Sequence, residues 1–79
     1  MRTRRYWLRL WSDRYKTYVA TSHWQDASVP LNEVIKIWDM LYPNTWYRID
    51  LEPLDGQNYY EFVYESNTKP HQVSFFQSL

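Results

Sequence analysis

Arg5, Trp7, Arg9 and Trp11 alternate along the first strand-like stretch of the chain, and Lys16 and Tyr18 take matching places on the next. Alternation at period two puts such a set on one face of a β-sheet. Guanidinium groups and rings gathered on one face have two uses. They can stack on each other as a cation–π ladder that covers the sheet. They can also grip a partner, because Trp, Tyr and Arg combine large contact area with few rotatable bonds or a rigid donor fork. A second set is acidic: Asp50, Glu52, Glu61 and Glu65 fall on the outward positions of two later strand-like stretches. Paired carboxylates could share acid–base work. Their ordinary role on an antiparallel sheet is a solvated face, here a second contact zone of opposite charge. Such a zone could meet the Lys and Arg with which a nucleoprotein holds nucleic acid.

Other reactive arrangements are missing from the sequence. A single glycine cannot build a phosphate-cradling loop. Without cysteine there is no disulfide framework and no thiolate metal site. The two histidines, His23 and His71, lie far apart, lack His-Glu-x-x-His spacing, and read as ordinary loop or strand-end residues. No Ser-His-Asp constellation is suggested by local order. The expectation is therefore a chain with no enzyme activity, no cofactor and no metal.

The element that must support these faces runs from Ser28 to Pro43. Leu31, Val34, Ile35, Trp38, Leu41 and Tyr42 recur at helical spacing, with Asn32, Glu33, Lys36 and Asp39 opposite. Ser28 is the expected N-cap, Pro30 sits in the first turn, and Pro43 stops the helix. Ile37 and Met40 widen the stripe, either as flanking core or as a ridge facing a partner. A helix this short is marginal alone and needs a sheet to bury its stripe.

Residues 4 to 22 predict a β-hairpin turning at Ser12-Asp13-Arg14. A tight turn pairs Leu10 with Thr17 and Leu8 with Val19 on one face. The other face then carries Trp11 with Lys16, Arg9 with Tyr18, and Trp7 with Ala20. The aliphatic set should face the helix, because burying unpaired arginines is expensive. Residues 23 to 30 are read as a loop, in which Trp24 is either a lid on the core or an exposed anchor.

A third strand is predicted from Trp46 to Glu52, with Tyr47, Ile49 and Leu51 inward. A turn follows at Pro53-Leu54-Asp55-Gly56, where the only glycine can supply positive φ. A fourth strand from Tyr59 to Glu65 puts Tyr60, Phe62 and Tyr64 inward. Its register against the third is left open, since one choice sets Asp50 against Glu61. A fifth strand from His71 to Gln77 has apolar residues on both sides. Phe76 either packs under a neighbour or meets another chain, which allows a homodimer through this strand. The expectation is an α+β domain of two layers: ββαβββ, an antiparallel sheet of about five strands with one helix on one face. Strand order is not derivable from the sequence.

Seventy-nine residues make one domain with a small interior. Bulk compensates, with 5 Trp, 8 Tyr and 3 Phe, each removing on the order of 150–250 Å² from water when buried. No apolar run approaches the ~20 residues of a membrane helix, and no signal-peptide pattern is present. These features and the missing cysteine fit a cytoplasmic protein that uses no membrane. Net charge is zero but unevenly spread. Basic residues crowd the first sixteen positions, while Asp50 to Glu65 holds acids and no base. That makes the molecule dipolar unless the fold joins the two blocks.

In size and character, though in no motif, the profile is similar to that of small phage-encoded inhibitors of host defence, such as anti-CRISPR proteins. These are single domains of this size without cofactors. The resemblance implies a viral binding protein that acts in the host cytoplasm by occupying a surface on a larger protein or nucleoprotein complex. The alternative is a single-stranded nucleic-acid module, with rings stacking on bases and cations meeting phosphates. Net neutrality and the acidic C-terminal half count against it.

Overall fold

The apolar stripe forms a helix, α1 (Leu31–Leu41). Val34 and Trp38 are sealed from solvent, and Leu31, Ile35 and Tyr42 lie beside them against the core. Its start is two residues later than expected. Pro30 is the N-cap, its carbonyl accepting the amides of Glu33 and Val34. Ser28 does not cap, because its amide is drawn into a turn on the Asp26 carboxylate (2.8 Å). Pro43 ends the helix as expected, and Asn44 follows with φ 59°. Leu41, expected in the stripe, is 59% exposed; Met40 is 81% exposed and Ile37 38%.

The computed structural model describes residues 4–66. Within them, four antiparallel strands accompany α1: β1 (Arg5–Ser12), β2 (Thr17–Asp26), β3 (Tyr47–Leu51) and β4 (Glu61–Glu65), in the order β2-β1-β3-β4. The class is α+β with one helix on an antiparallel sheet. The expected ββαβββ order with five strands is corrected to ββαββ among the described residues. The fifth strand at His71 to Gln77, and the homodimer through it, lie outside them. No helix among the described residues is long and apolar enough to cross a membrane.

Leu8 at 0% exposure, Tyr47 at 1% and Ile49 at 0% form the sheet side of the core, under Val34 and Trp38. Leu10 joins at the margin. The face assignment of the first hairpin therefore holds, although its register differs. The turn takes four residues, Asp13 to Lys16, closed by the Lys16 amide on the Ser12 carbonyl (2.8 Å), with Lys16 at φ 55°. Pairing becomes Leu10↔Val19 and Trp11↔Tyr18. A shift of two residues leaves Leu8, Leu10 and Val19 on the helix side and Trp11 and Tyr18 on the outer side, as expected, while Lys16 passes into the turn.

β2 also runs on through the expected loop. A bulge sets Thr21 to His23 against Leu8, after which Trp7 pairs with Trp24. The Thr21 hydroxyl donates to the Leu8 carbonyl (2.9 Å) and accepts the His23 amide (3.0 Å), standing in for ladder bonds. His23 is thus a strand residue, joined to the Tyr42 hydroxyl at 2.6 Å.

The turn after β3 forms as expected, with Gly56 at φ 88°. β4 departs from expectation. Ile49 pairs with Tyr64, but Asp50 pairs with Phe62, so Val63 is an extra residue. One inserted residue flips parity. Tyr64 and Val63 turn to the core, while Phe62 moves to the opposite face and is 55% exposed. Tyr60, also expected inward, lies 43% exposed beyond the strand. The register observed, with Asp50 opposite Phe62 and Leu51 opposite Glu61, keeps Asp50 from facing Glu61 directly.

Two phenols tie separate elements together, one between the sheet and α1 and one across the sheet from β2 to β4. Tyr47 donates to the Asp39 carboxylate on α1 (2.6 Å), and Tyr18 to Glu65 (2.6 Å). Burial, then the carboxylate partner, pushes both well above the ordinary phenol value. A proton held more tightly in the folded state stabilises fully below the unfolded pKa of about 10, and this contribution is lost as pH rises above it. Unfolding by alkali should therefore begin above about pH 10. Tyr47→Phe should make the fall in stability with pH shallower in denaturant titrations across that range; an unchanged slope would assign the effect elsewhere.

Candidate functional site

The candidate site is the sheet face turned away from α1. Odd-numbered residues of β1 and even-numbered residues of β3 share it, because Trp7 pairs with Asp50 and Arg9 with Arg48. This adjacency joins the basic and acidic blocks of the sequence, so the expected dipole is largely neutralised within the fold. Arg9 donates to Asp50 (2.6 Å), and Arg48 donates to the other oxygen of Asp50 (2.8 and 3.0 Å). Arg5 donates to Glu52 (3.0 Å), which raises the guanidinium's pKa further. Arg4 spans the Glu52 carbonyl (2.6 Å) and Glu61 (3.1 Å).

Asp50 and Glu52 were expected on a solvated face. They are 3% and 5% exposed, covered by the arginines and rings above them. A buried carboxylate requires such partners. Glu61 and Glu65 are half-buried, engaged by Arg4 and Tyr18 respectively. The four acids are therefore held inside the fold's own pairs.

The aromatic residues divide into two groups. Near the hairpin turn, Trp11 stacks on Trp46 with centroids 4.5 Å apart, and Tyr18 meets both edge-on at 5.4 and 5.6 Å. The Trp11 indole N–H donates to Asp13 (3.1 Å). Trp46 is 6% exposed, so this group is closed. At the other end the rings are open. Trp24 is 46% exposed, Tyr60 43% and Phe62 55%. Each lies against an arginine: Arg5 over Trp24 at 5.2 Å, Arg9 over Tyr60 at 5.2 Å, and Arg48 over Phe62 at 4.7 Å. Each of these arginines is in turn held by a buried carboxylate.

Of the residues singled out from sequence, Arg5, Trp7, Arg9, Trp11 and Tyr18 do share this face. Lys16 does not, because the longer turn carries it off the strand. Trp7 lies under Arg5 (5.1 Å) and beside Trp24 (6.4 Å). Its indole N–H is buried without a hydrogen-bond partner among the described residues. At the β2 bulge a hollow of ≈ 150 Å³ opens, lined by Trp7, Leu8, Arg9, Ala20, Thr21 and Tyr60. Sequence reasoning missed Arg48, Tyr60 and Phe62 as members of the open group. The crowding of aromatics around Arg48 was visible, but the bulge that turns Phe62 outward was not. Among the described residues no group of three His, Asp or Glu could hold a metal ion. No family model, no curated protein and no solved structure matches the chain.

Proposed function

We propose that this chain is a non-catalytic binding protein that docks on a larger protein or nucleoprotein through Trp24, Tyr60 and Phe62, as a small phage-type inhibitor of host defence does, in the cytoplasm of the host cell. The observation that carries the reading is the three-tier build of the open end. Exposed rings lie on arginines, and the arginines on buried carboxylates. Large rings held in place before binding lose little entropy on docking, which is where affinity is otherwise forfeited.

The same build favours protein over single-stranded nucleic acid. Rings alone could stack on bases. The cations such a surface needs for phosphates are already committed, since Arg5, Arg9 and Arg48 serve Glu52 and Asp50. Recruiting them would strip buried carboxylates of their partners.

The test is capture from cell extract with the wild-type chain and a Trp24→Ala/Phe62→Ala variant, with and without nuclease. Both positions are half-exposed, so the variant should keep its circular dichroism spectrum. The expected result is a protein partner that survives nuclease and 0.5 M salt, on the order of tenfold depleted or more with the variant, as two lost hot spots imply. Recovery of nucleic acid alone, with steep log-linear loss of binding in salt, would assign the surface to the alternative.

A further inference from the structure

A hollow of ≈ 250 Å³ opens at the C-terminal end of α1, where the chain leading into β3 meets the end of β4. Asp39, Tyr42 and Asn44 line it from the helix end, and Tyr64 and Ser66 from the sheet. Its walls are fixed by their own bonds. The Ser66 amide donates to the Tyr47 carbonyl (2.9 Å), and the Ser66 hydroxyl accepts the Tyr47 amide (3.0 Å). The Tyr42 amide closes the helix on the Trp38 carbonyl (2.8 Å). No cation stands among the lining residues, and the last turn of α1 holds no basic residue. A helix C-terminus carries about half a unit of negative charge, and Asp39 adds a carboxylate in that same turn. One Asp39 oxygen accepts the Tyr47 phenol (2.6 Å). The ion pairs of the described residues use Glu33, Asp50, Glu52 and Glu61, and none reaches Asp39.

We propose that this hollow receives one alkylammonium group, the head of a lysine side chain. Its volume lies below the roughly 300–1,000 Å³ of pockets that take drug-sized ligands, which suits a single side-chain head. The lining suits a cation. An ammonium gains from Asp39, from the helix end and from the rings of Tyr42 and Tyr64. Its three donors can be met by the carboxylate, the Asn44 side-chain carbonyl and a hydroxyl of Thr45 or Tyr64. An anion would meet a carboxylate and the negative end of a dipole. A guanidinium is matched less well, because its fork wants both oxygens of a carboxylate and one is held by Tyr47. A bare divalent ion wants more charge than one carboxylate supplies. Two sources can supply the ammonium. One is Lys69, three residues past Ser66 in the sequence and outside the described residues. The other is a lysine of a partner protein, for which the hollow is a contact separate from Trp24, Tyr60 and Phe62, none of which lines it.

The test is a titration of the whole isotope-labelled chain, followed by amide NMR shifts at low ionic strength, where such a pair is least screened. The probes are N-acetyl-lysine methylamide and its uncharged counterpart N-acetyl-norleucine methylamide. Both are offered to the wild-type chain and to Lys69→Met. The expected result is saturable binding of the lysine probe, with a dissociation constant on the order of 1 mM and shifts centred on Asn44, Thr45 and Ser66. The norleucine probe should bind at least about tenfold more weakly, since it lacks the charge-assisted bond. Asp39→Asn, in whichever background binds, should weaken the lysine probe by about tenfold as well. Its amide carbonyl can still accept the Tyr47 phenol, so circular dichroism should be unchanged. Lys69→Met separates the sources: tighter probe binding than in wild type assigns the site to the chain's own lysine, and equal binding assigns it to an external one. The proposal is overturned if neither chain binds the lysine probe saturably, if the norleucine probe binds as well, or if Asp39→Asn makes no difference.

Discussion

Trp38→Ala should leave the domain mostly unfolded at moderate temperature. The indole is 1% exposed and is the bulkiest of the fully buried side chains among the described residues, packed with Val34 against Leu8, Tyr47 and Ile49. Truncating a buried Trp typically costs about 3–5 kcal/mol, from lost transfer energy and the cavity left behind. A domain of 79 residues has roughly 4–12 kcal/mol of total stability. Among the described residues one core cluster is present, with no second one to collapse into the hole. The measurement is a denaturant titration followed by Trp fluorescence and far-ultraviolet circular dichroism. A midpoint displaced by less than the equivalent of about 1 kcal/mol would mean that α1 contributes little to the fold. Trp38→Phe should recover much of the loss, because it refills most of the volume with apolar atoms.

Asp50→Asn should be the next most damaging single change, at about 3 kcal/mol. Arg9 and Arg48 are direct cross-strand partners, and two like charges in that position repel. The single carboxylate between them turns the repulsion into two bonds. Amidation removes the charge but not the arginines. Both guanidinium side chains keep partial exposure, 27% and 30%, which holds the cost to the lower end of the range for a broken buried pair. The triple replacement Arg9→Met/Asp50→Leu/Arg48→Met should behave differently. Exchanging a whole buried ionic cluster for apolar groups is often neutral or stabilising. The triple variant should therefore stay folded in the same titration yet lose the partner captured by wild type, because Tyr60 and Phe62 have lost the cations that position them. A triple variant that binds normally would show the arginines to be structural only.

Much of this architecture was legible because periodicity survives even-numbered errors. The stripe from Leu31 to Tyr42 identified α1, and alternation from Arg5 to Trp11 put Leu8 in the core although the hairpin turn was misjudged by two residues. Odd insertions are invisible to the same reasoning. One extra residue at Val63 exchanged Phe62 for Val63 on the core side, and nothing local announced it. The burial of Asp50 and Glu52 was illegible for a different reason. It depends on β3 lying next to β1, with Arg5 and Arg9 47 and 41 residues from the acids they hold, and strand order is a property of the whole chain. Lys16 was lost from the face by turn length alone, since a two-residue connection would have kept it on the strand.

The position of β1 inside the sheet also governs the order of assembly. Its β2 neighbour arrives within a few residues, but β3 is made only after the helix. During synthesis, which proceeds from the N-terminus, the first hairpin is complete while Leu8 has nothing to cover it. Closing the β1–β3 ladder means joining segments about forty residues apart, a non-local step of the kind that slows folding. The chain therefore spends its most vulnerable interval with its central strand half-paired, and a crowded or chaperone-poor cell would reduce its yield before it reduced its finished stability.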